Sequence, residues 1–253
     1  MTPLKYRSAG TSHTGKVRKA NEDAVLVMDP RTTYVVADGM GGHENGGWAS
    51  AQIVDAIAAA RSTGQFEDDC QNLSDAIHMA NAQIYDAAQK IQAQMGATIV
   101  ALAFTGDRFA IFWAGDSRAY LLRGGQLFQL TRDHTAVQDM IARGLISEAE
   151  AVTHPMRHVL NKAVGVQEDL ELDGITDTAR PNDCFLLCSD GLTGLVEDDE
   201  IREVMATANP EQGVALLLER VLARGAHDNV TIVMVACEEQ TQLLFASPVG
   251  MAQ

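Results

Sequence analysis

The amino-acid sequence predicts an α/β domain in which antiparallel sheets pack together and are covered by helices. Three observations support this. Four strand-like runs follow one another between residues 98 and 130, and the turn-forming pairs Gly106-Asp107 and Gly124-Gly125 sit between them. Helix-like segments come in pairs, at 48–61 and 74–94 and again at 198–207 and 210–224. Further short β-branched and apolar runs lie before, between and after these pairs. A sheet with one apolar face and a helix with one apolar stripe must bury them against each other, so layers are expected. Periodicity alone leaves the strand order open.

Taken in order, the run at 24–28 is short and apolar. The run at 33–37, TYVVA, is β-branched and aromatic and leads directly into Asp38-Gly39. The loop GMGGHENGG follows. It lacks the GK[ST] ending of a phosphate-binding loop and the GxGxxG spacing of a dinucleotide loop. Its glycines instead suit a close backbone approach and a turn into the next helix. The helix at 48–61 is Ala-rich. In the next, Leu73, Ile77, Ala80, Ile84, Ala88 and Ile91 recur at helical spacing. Strands at 98–105, 109–114, 119–123 and 127–130 read as an antiparallel meander. Residues 131–165 are polar and mixed, with a short helical pattern near 137–143. The run CFLLC at 184–188 reads as a buried strand ending at Ser189-Asp190-Gly191. After the second helix pair, a last strand at 230–236 follows His227-Asp228-Asn229. No repeat or Pro/Ser linker interrupts the chain. One domain over 1–240 is expected, with a weakly structured tail over 241–253.

The composition, 46% hydrophobic and 21% charged, is that of a globular domain, and 253 residues can bury a core without disulfides or a structural metal. A net charge of −15 disfavours nucleic acid as a partner. The four cysteines, Cys70, Cys184, Cys188 and Cys237, have no zinc-type spacing and read as small core residues in a reducing compartment. No apolar run is long enough to cross a membrane, and the N-terminal stretch has no apolar signal core, so a cytoplasmic location is expected.

The chemistry lies in the placement of acidic residues. Asp38 follows YVVA, Asp116 follows IFWAG, Asp190 follows FLLCS, Asp228 precedes VTIVMV, and Asp23 precedes AVLVM. Strand ends of one sandwich can converge on a single edge, and carboxylates crowded there repel one another unless a cation neutralises them. An oxygen-only ligand set suits Mg²⁺ or Mn²⁺. Such ions acidify water and clamp a phosphoryl oxygen, a route to phosphomonoester hydrolysis. An Asp-Gly pair after a strand is also an ordinary turn, and the residues alone leave both readings open.

Seven motifs in order go further. They are VRKANEDA at 17–24, VVADGMGGH at 35–43, GATIVAL at 96–102, WAGDSRAYLLR at 113–123, LTRDHT at 130–135, LLCSDGLT at 186–193 and HDNVTIV at 227–233. Over roughly residues 8–236 the sequence resembles the protein phosphatase 2C (metal-dependent phosphatase) family in its compact bacterial form. The resemblance implies a central sandwich of two antiparallel sheets flanked by helix pairs, with a flap beside a two-metal Mn²⁺ or Mg²⁺ centre. In that pattern Asp38 bridges the ions and the Gly39 carbonyl ligates one, while Asp190 and Asp228 hold the other. Glu22 and Asp23 act around the site, largely through metal-bound waters. Asp116 with Asp190 holds a third, weaker ion, Arg18 binds the substrate phosphate, and Asn229 orients Asp228 from behind. The implied reaction is hydrolysis of phosphoserine or phosphothreonine in proteins by in-line attack of a metal-bridging water.

The implied partners are phosphoproteins, a cognate serine/threonine kinase and its targets, met by a monomer. The alternatives are a catalytically silent phosphoprotein-binding module of the same fold and a cation-binding structural protein. The presence of Asp38, Gly39, Asp190 and Asp228 argues against the first, and Arg18 with Asn21-Glu22-Asp23 argues against the second. One position departs from eukaryotic relatives. Met40 stands where they carry a histidine proposed as general acid, which leaves a metal-bound water, or His43, to protonate the leaving group. Ser117 and Arg118 of the GDSR motif are read as structural. The flap, at 131–163, offers His134, Arg143, His154, Arg157 and His158 as residues that either meet substrate or face solvent.

Overall fold

The structure, a computed structural model, describes residues 4–42 and 44–239. His43 and the tail expected over 241–253 lie outside the described residues. In chain order the elements are β1 (Leu4–His13), β2 (Asp23–Met28), β3 (Thr33–Met40), α1 (Glu44–Ala59), α2 (Phe66–Ile91), β4 (Gly96–Ala97), β5 (Ile99–Thr105), β6 (Arg108–Ala114), β7 (Arg118–Arg123) and β8 (Gln126–Gln129). There follow α3 (Ala136–Ala142), α4 (Glu148–Ala151), β9 (Asp173–Thr178), β10 (Cys184–Cys188), α5 (Asp190–Thr193), α6 (Asp198–Thr207), α7 (Pro210–Ala223) and β11 (Val230–Glu239).

The strands form two antiparallel sheets. One has the order β1-β11-β10-β7-β8. The other runs β2-β3-β5-β6-β9, with β4 added to the end of β3. Alternation along each strand sorts side chains between two faces. On β3, Tyr34 and Val36 point between the sheets, where they meet Phe185 and Leu187 of β10 and Val233 and Val235 of β11. Val35 and Ala37 point outward beneath α1 and α2. On β10, Leu186 and Cys188 point outward beneath α5, α6 and α7. The result is the four-layer helix–sheet–sheet–helix arrangement that the resemblance implies.

The sequence pattern explains most of these elements. Leu73, Ile77, Ala80, Ile84 and Ala88 are the buried stripe of α2, while Ile91, at its end, is exposed. The helix begins at Phe66, well before the expected 74. Glu67, Asp68 and Asp69 in its first turn complement the positive end of the helix dipole. Asn209 caps α7 by accepting from the Gln212 amide at 3.0 Å, and Pro210 fills the first turn, where no amide is needed.

Four differences from the sequence reading have physical causes. The expected meander is two hairpins in different sheets. β5 pairs with β6 and β7 with β8, but Gly115-Asp116-Ser117 carries the chain from one sheet to the other. Gly115 has φ +117, and Thr98 leaves no room for a β carbon there. Second, β3 does not stop at 37. It continues to Met40, because Asp38 pairs with Asp23 and Gly39 with Ala97. Third, α1 starts at Glu44, inside the glycine-rich loop, rather than at 48. Fourth, β1 and β9 have no counterpart in the sequence reading. Both are edge strands of largely polar sequence, LKYRSAGTSH and DGITDT, and ladder bonds to β11 and β6 define them.

Phe185 is fully buried between the sheets, with ring centroids 4.9 Å from Phe109 and 5.4 Å from Phe104, both edge-on. Truncation there removes packing from both sheets at once. Phe185→Ala is expected to destabilise the protein by about 3–5 kcal/mol, which urea unfolding followed by circular dichroism would measure.

Candidate metal centre

Five elements deliver carboxylates to one end of the sandwich. Asp38 comes from β3, Asp116 from the crossing loop after β6, Asp190 from the start of α5, Asp228 from the loop before β11, and Glu22 from the loop before β2. All five line a single cleft of about 940 Å³, together with Arg18, Gly39 and Asn229. Asp23, at the start of β2, lies behind the cleft wall and is buried. The structure thus brings to the cleft or its wall the acidic residues, Arg18, Gly39 and Asn229 that the sequence named for the metal centre. Asp190 belongs to the first turn of α5 rather than to a turn, and Asp38 sits within a strand. Both therefore stand on rigid backbone.

The local supports are specific. Asp23 Oδ2 accepts from Ser189 Oγ at 2.9 Å and from Thr231 Oγ1 at 2.7 Å. Asp23 Oδ1 is buried with no partner. Thr98 Oγ1 accepts from the Asp38 amide at 3.2 Å and lies 2.6 Å from Ser117 Oγ. Thr98 therefore stands between the strand that bears Asp38 and the loop that bears Asp116. Asn229 bonds Asp228 through its backbone and a second segment through its side chain. The Asn229 backbone amide donates to Asp228 Oδ1 at 2.8 Å. Its side chain instead holds the 14–22 segment: Oδ1 accepts from the Glu22 amide at 2.8 Å, and Nδ2 donates to the carbonyls of Thr14 at 2.8 Å and Ala20 at 3.0 Å. Gly46 lies against Gly39 and the Glu22 carboxylate, with no space for a side chain.

The electrostatics are those of crowded anions. Asp38 is partly open to the cleft but enclosed by protein elsewhere. This enclosure, then the charges of Asp23, Asp190, Asp116 and Asp228, hold its carboxyl well above the usual carboxylate range. Burial, then Asp190 and Asp133, push Asp116 up to about 7. Burial pushes Asp23 up to about 6, against the two hydroxyls that bond it. Asp190 is also raised, by burial and then Asp228. Arg18 is half-exposed at the rim and pairs with Asp228 Oδ2 at 2.7 Å. His158, on the flap, stands 4.0 Å from Asp190.

These residues fit a hard cation. A buried carboxylate oxygen without a partner and several carboxylates raised by enclosure and by neighbouring charge are what a divalent ion would relieve. Among the described residues no three Asp, Glu, His or Cys side chains already form a closed ligand set. Ions of this type take one or two carboxylates, carbonyls and several waters, so an open arrangement suits them.

Several residues carry structure instead. Ser117 is buried against Thr98. Arg118 forks onto Asp133, with 2.7 Å from Nη2 to Oδ2, and so fixes the start of the flap. His134 is buried rather than facing substrate. It stacks on Trp113 and lies 3.0 Å from Asp173. Arg143, His154 and Arg157 are on or near the surface and do not line the cleft. Thr98, Ser189 and Thr231 were missed by the sequence reading. They are single hydroxyl residues within or beside apolar runs, and no spacing rule distinguishes them there.

The chain has known relatives. The protein phosphatase 2C family model matches residues 8–140. The chain is 35% identical over 256 residues to the serine/threonine protein phosphatase PstP of Mycobacterium tuberculosis, covering 98% of this chain and 49% of that protein. It thus spans about half the length of that relative. Among solved structures, PppA of Pseudomonas aeruginosa, described as a key regulatory component of T6SS, is 39% identical with a TM-score of 0.86. That match covers 92% of this chain and 98% of PppA. The catalytic domain of a serine threonine protein phosphatase PstP in complex with two manganese ions is 33% identical with a TM-score of 0.83, covering 93% of this chain and 99% of that one.

Two outcomes follow from this geometry. Because Asp23 and Asp116 have folded pKa values of about 6 and about 7, above an unfolded value of about 3.9, the folded state binds their protons more tightly. Their contribution to stability is present below about pH 4 and is lost as pH rises to about 7. EDTA-treated protein is expected to show a urea midpoint that falls over that range, less steeply in Asp116→Asn. Separately, Thr98→Val should weaken Mn²⁺ binding about 10- to 100-fold, measured by calorimetry, and Thr98→Ser should restore it.

Proposed function

The chain belongs to the protein phosphatase 2C family, and from that premise we propose that it is a metal-dependent serine/threonine phosphoprotein phosphatase. The observation that carries this reading is the convergence of Asp38, Asp116, Asp190 and Asp228 on one cleft with Arg18 at its rim. In this reading Asp38, the Gly39 carbonyl, Asp190 and Asp228 hold two Mn²⁺ or Mg²⁺ ions. Asp116 with Asp190 holds a third, weaker one, and Glu22 and Asp23 act around them. When bound, the ions supply Lewis acidity, lowering the pKa of water and polarising a phosphoryl oxygen.

The chain's own residues do the rest. Arg18 exchanges its contact with Asp228 for two phosphate oxygens, a match to the guanidinium fork. Asn229, by holding the 14–22 segment, keeps Arg18 at the rim. Water attacks phosphorus in line, the bond from phosphorus to the serine or threonine oxygen breaks, and no phosphoenzyme forms. The burial of Ser117 against Thr98 supports this, since the hydroxyl of the GDSR motif is withheld from substrate. Met40 has no proton to give, so a water at the site protonates the leaving alkoxide. The partners are phosphoserine and phosphothreonine proteins, among them a cognate kinase and its substrates, and the working unit is a monomer. No helix among the described residues is long and apolar enough to cross a membrane.

The test is hydrolysis of p-nitrophenyl phosphate and a phosphothreonine peptide with Mn²⁺, Mg²⁺ or EDTA. Turnover is expected with metal and is lost with EDTA and in Asp38→Ala and Asp190→Ala. Arg18→Ala should lower kcat/KM about a hundredfold. A folded, metal-loaded protein that turns over neither substrate would replace this reading with that of a phosphoprotein-binding module.

A further inference from the structure

The cleft is larger than phosphate chemistry requires. At about 940 Å³ it lies near the upper end of sites that enclose a whole small molecule, roughly 300–1,000 Å³. A phosphoryl group with its ions occupies only the acidic end. The same cleft is also lined by Met40, Tyr85 and Val166. Met40, the next residue of β3, pairs with Gly96 of β4. Over Gly96 the Met40 and Val166 side chains converge: a β carbon there would lie 3.2 Å from Met40 Cε and 2.9 Å from Val166 Cγ2. Gly165 packs directly on Ile84 of α2, and the next residue of each segment, Val166 and Tyr85, lines the cleft.

This end of the cleft differs in chemistry from the acidic end. Among the described residues lining it, the charged one is Lys162, and its ammonium is engaged by Asp173 at 3.1 Å. Met40, Tyr85 and Val166 present methyl groups and a ring, beside the uncharged amides of Gln89, Gln94 and Gln167, and Val166 is 47% exposed. The shelf is also held in place. Asn81, buried in α2, accepts from the Gly165 amide at 2.6 Å and donates to the carbonyls of Gln167 and Glu168 at 3.0 Å each. These bonds bracket Val166, so a ligand meets a surface already ordered, which lowers the entropic cost of binding.

We propose that this shelf takes an uncharged apolar side chain of the phosphoprotein substrate, from a residue that neighbours the phosphorylated one in sequence. The inference rests on the phosphatase reading above. Its ground is continuity: a peptide whose phosphoryl group lies against Arg18 and the carboxylates has the shelf as the adjoining wall. An acidic neighbour in that place would lose its hydration against apolar groups and face the carboxylate cluster.

Two phosphothreonine peptides, alike except for leucine or glutamate at the neighbouring positions, are compared by kcat/KM with Mn²⁺, beside p-nitrophenyl phosphate. The wild type is expected to favour the leucine peptide about tenfold. Val166→Glu, at an exposed position, and Tyr85→Ala should each remove that preference and leave p-nitrophenyl phosphate turnover within about twofold. Equal rates on the two peptides, or a preference that survives both substitutions, would overturn the proposal. If no substrate is turned over, the phosphatase reading fails by itself. The same peptides are then compared by fluorescence anisotropy, where a leucine preference lost in Val166→Glu upholds the shelf and equal affinity overturns it.

Discussion

Mutual repulsion among carboxylates held at one end of a β-sandwich is the constraint on which the site depends. Enclosure first raises Asp38, Asp116 and Asp190, and neighbouring charges add to it: Asp23, Asp190, Asp116 and Asp228 on Asp38, Asp190 on Asp116, and Asp228 on Asp190. A flexible chain would let such groups separate. Here each is fixed by an element that cannot move without disturbing a packed core. Asp38 is inside a ladder that pairs it with Asp23. Asp190 starts a helix whose Leu192 is buried beneath the five-stranded sheet. Asp228, in the loop before β11, accepts from the Asn229 amide at 2.8 Å. Cores of this density do not deform continuously, so the repulsion persists until a cation answers it.

Neutral hydroxyls and amides packed behind the carboxylates make this crowding tolerable. Ser189 and Thr231 both donate to one oxygen of Asp23. Thr98 and Ser117 join the two sheets behind Asp38 and Asp116. Asn229 ties the segment bearing Arg18 and Glu22 to the loop bearing Asp228. Because these links are hydrogen bonds among buried groups, losing one partner leaves the other unsatisfied, which costs more than the bond itself contributes. The same logic anchors the flap. Arg118 holds Asp133 at its start, and His134 and Lys162 share Asp173 near its end. The segment between them carries two short helices and exposed residues, so the anchored ends and the surface middle serve different purposes.

Much of this was legible in the amino-acid sequence. The run TYVVA, the stripe from Leu73 to Ala88 and the run CFLLC each bury the residues their periodicity marks. The aspartates beside those runs all reach the cleft or its wall. What escaped was polar and nonlocal. The edge strands β1 and β9 have little apolar pattern, and their identity comes from backbone bonds to partners far along the chain. The crossing at Gly115 reads locally like any tight turn, and whether the chain folds back or changes sheets is decided by packing against Thr98.

The sequence by itself determined the layers, the family pattern and the set of acidic residues, because hydrophobic periodicity and motif order are properties of short segments. Only the tertiary structure decided that Asp23 is walled off while Glu22 faces the cleft, that Asn229 grips the Arg18 segment, and that Met40, Tyr85 and Val166 line the same cleft as the carboxylates. Each of these depends on distances between segments remote in sequence, such as Asn229 and Ala20 or Gly165 and Ile84. Such distances are set when two sheets and their covering helices pack, and no local pattern records them.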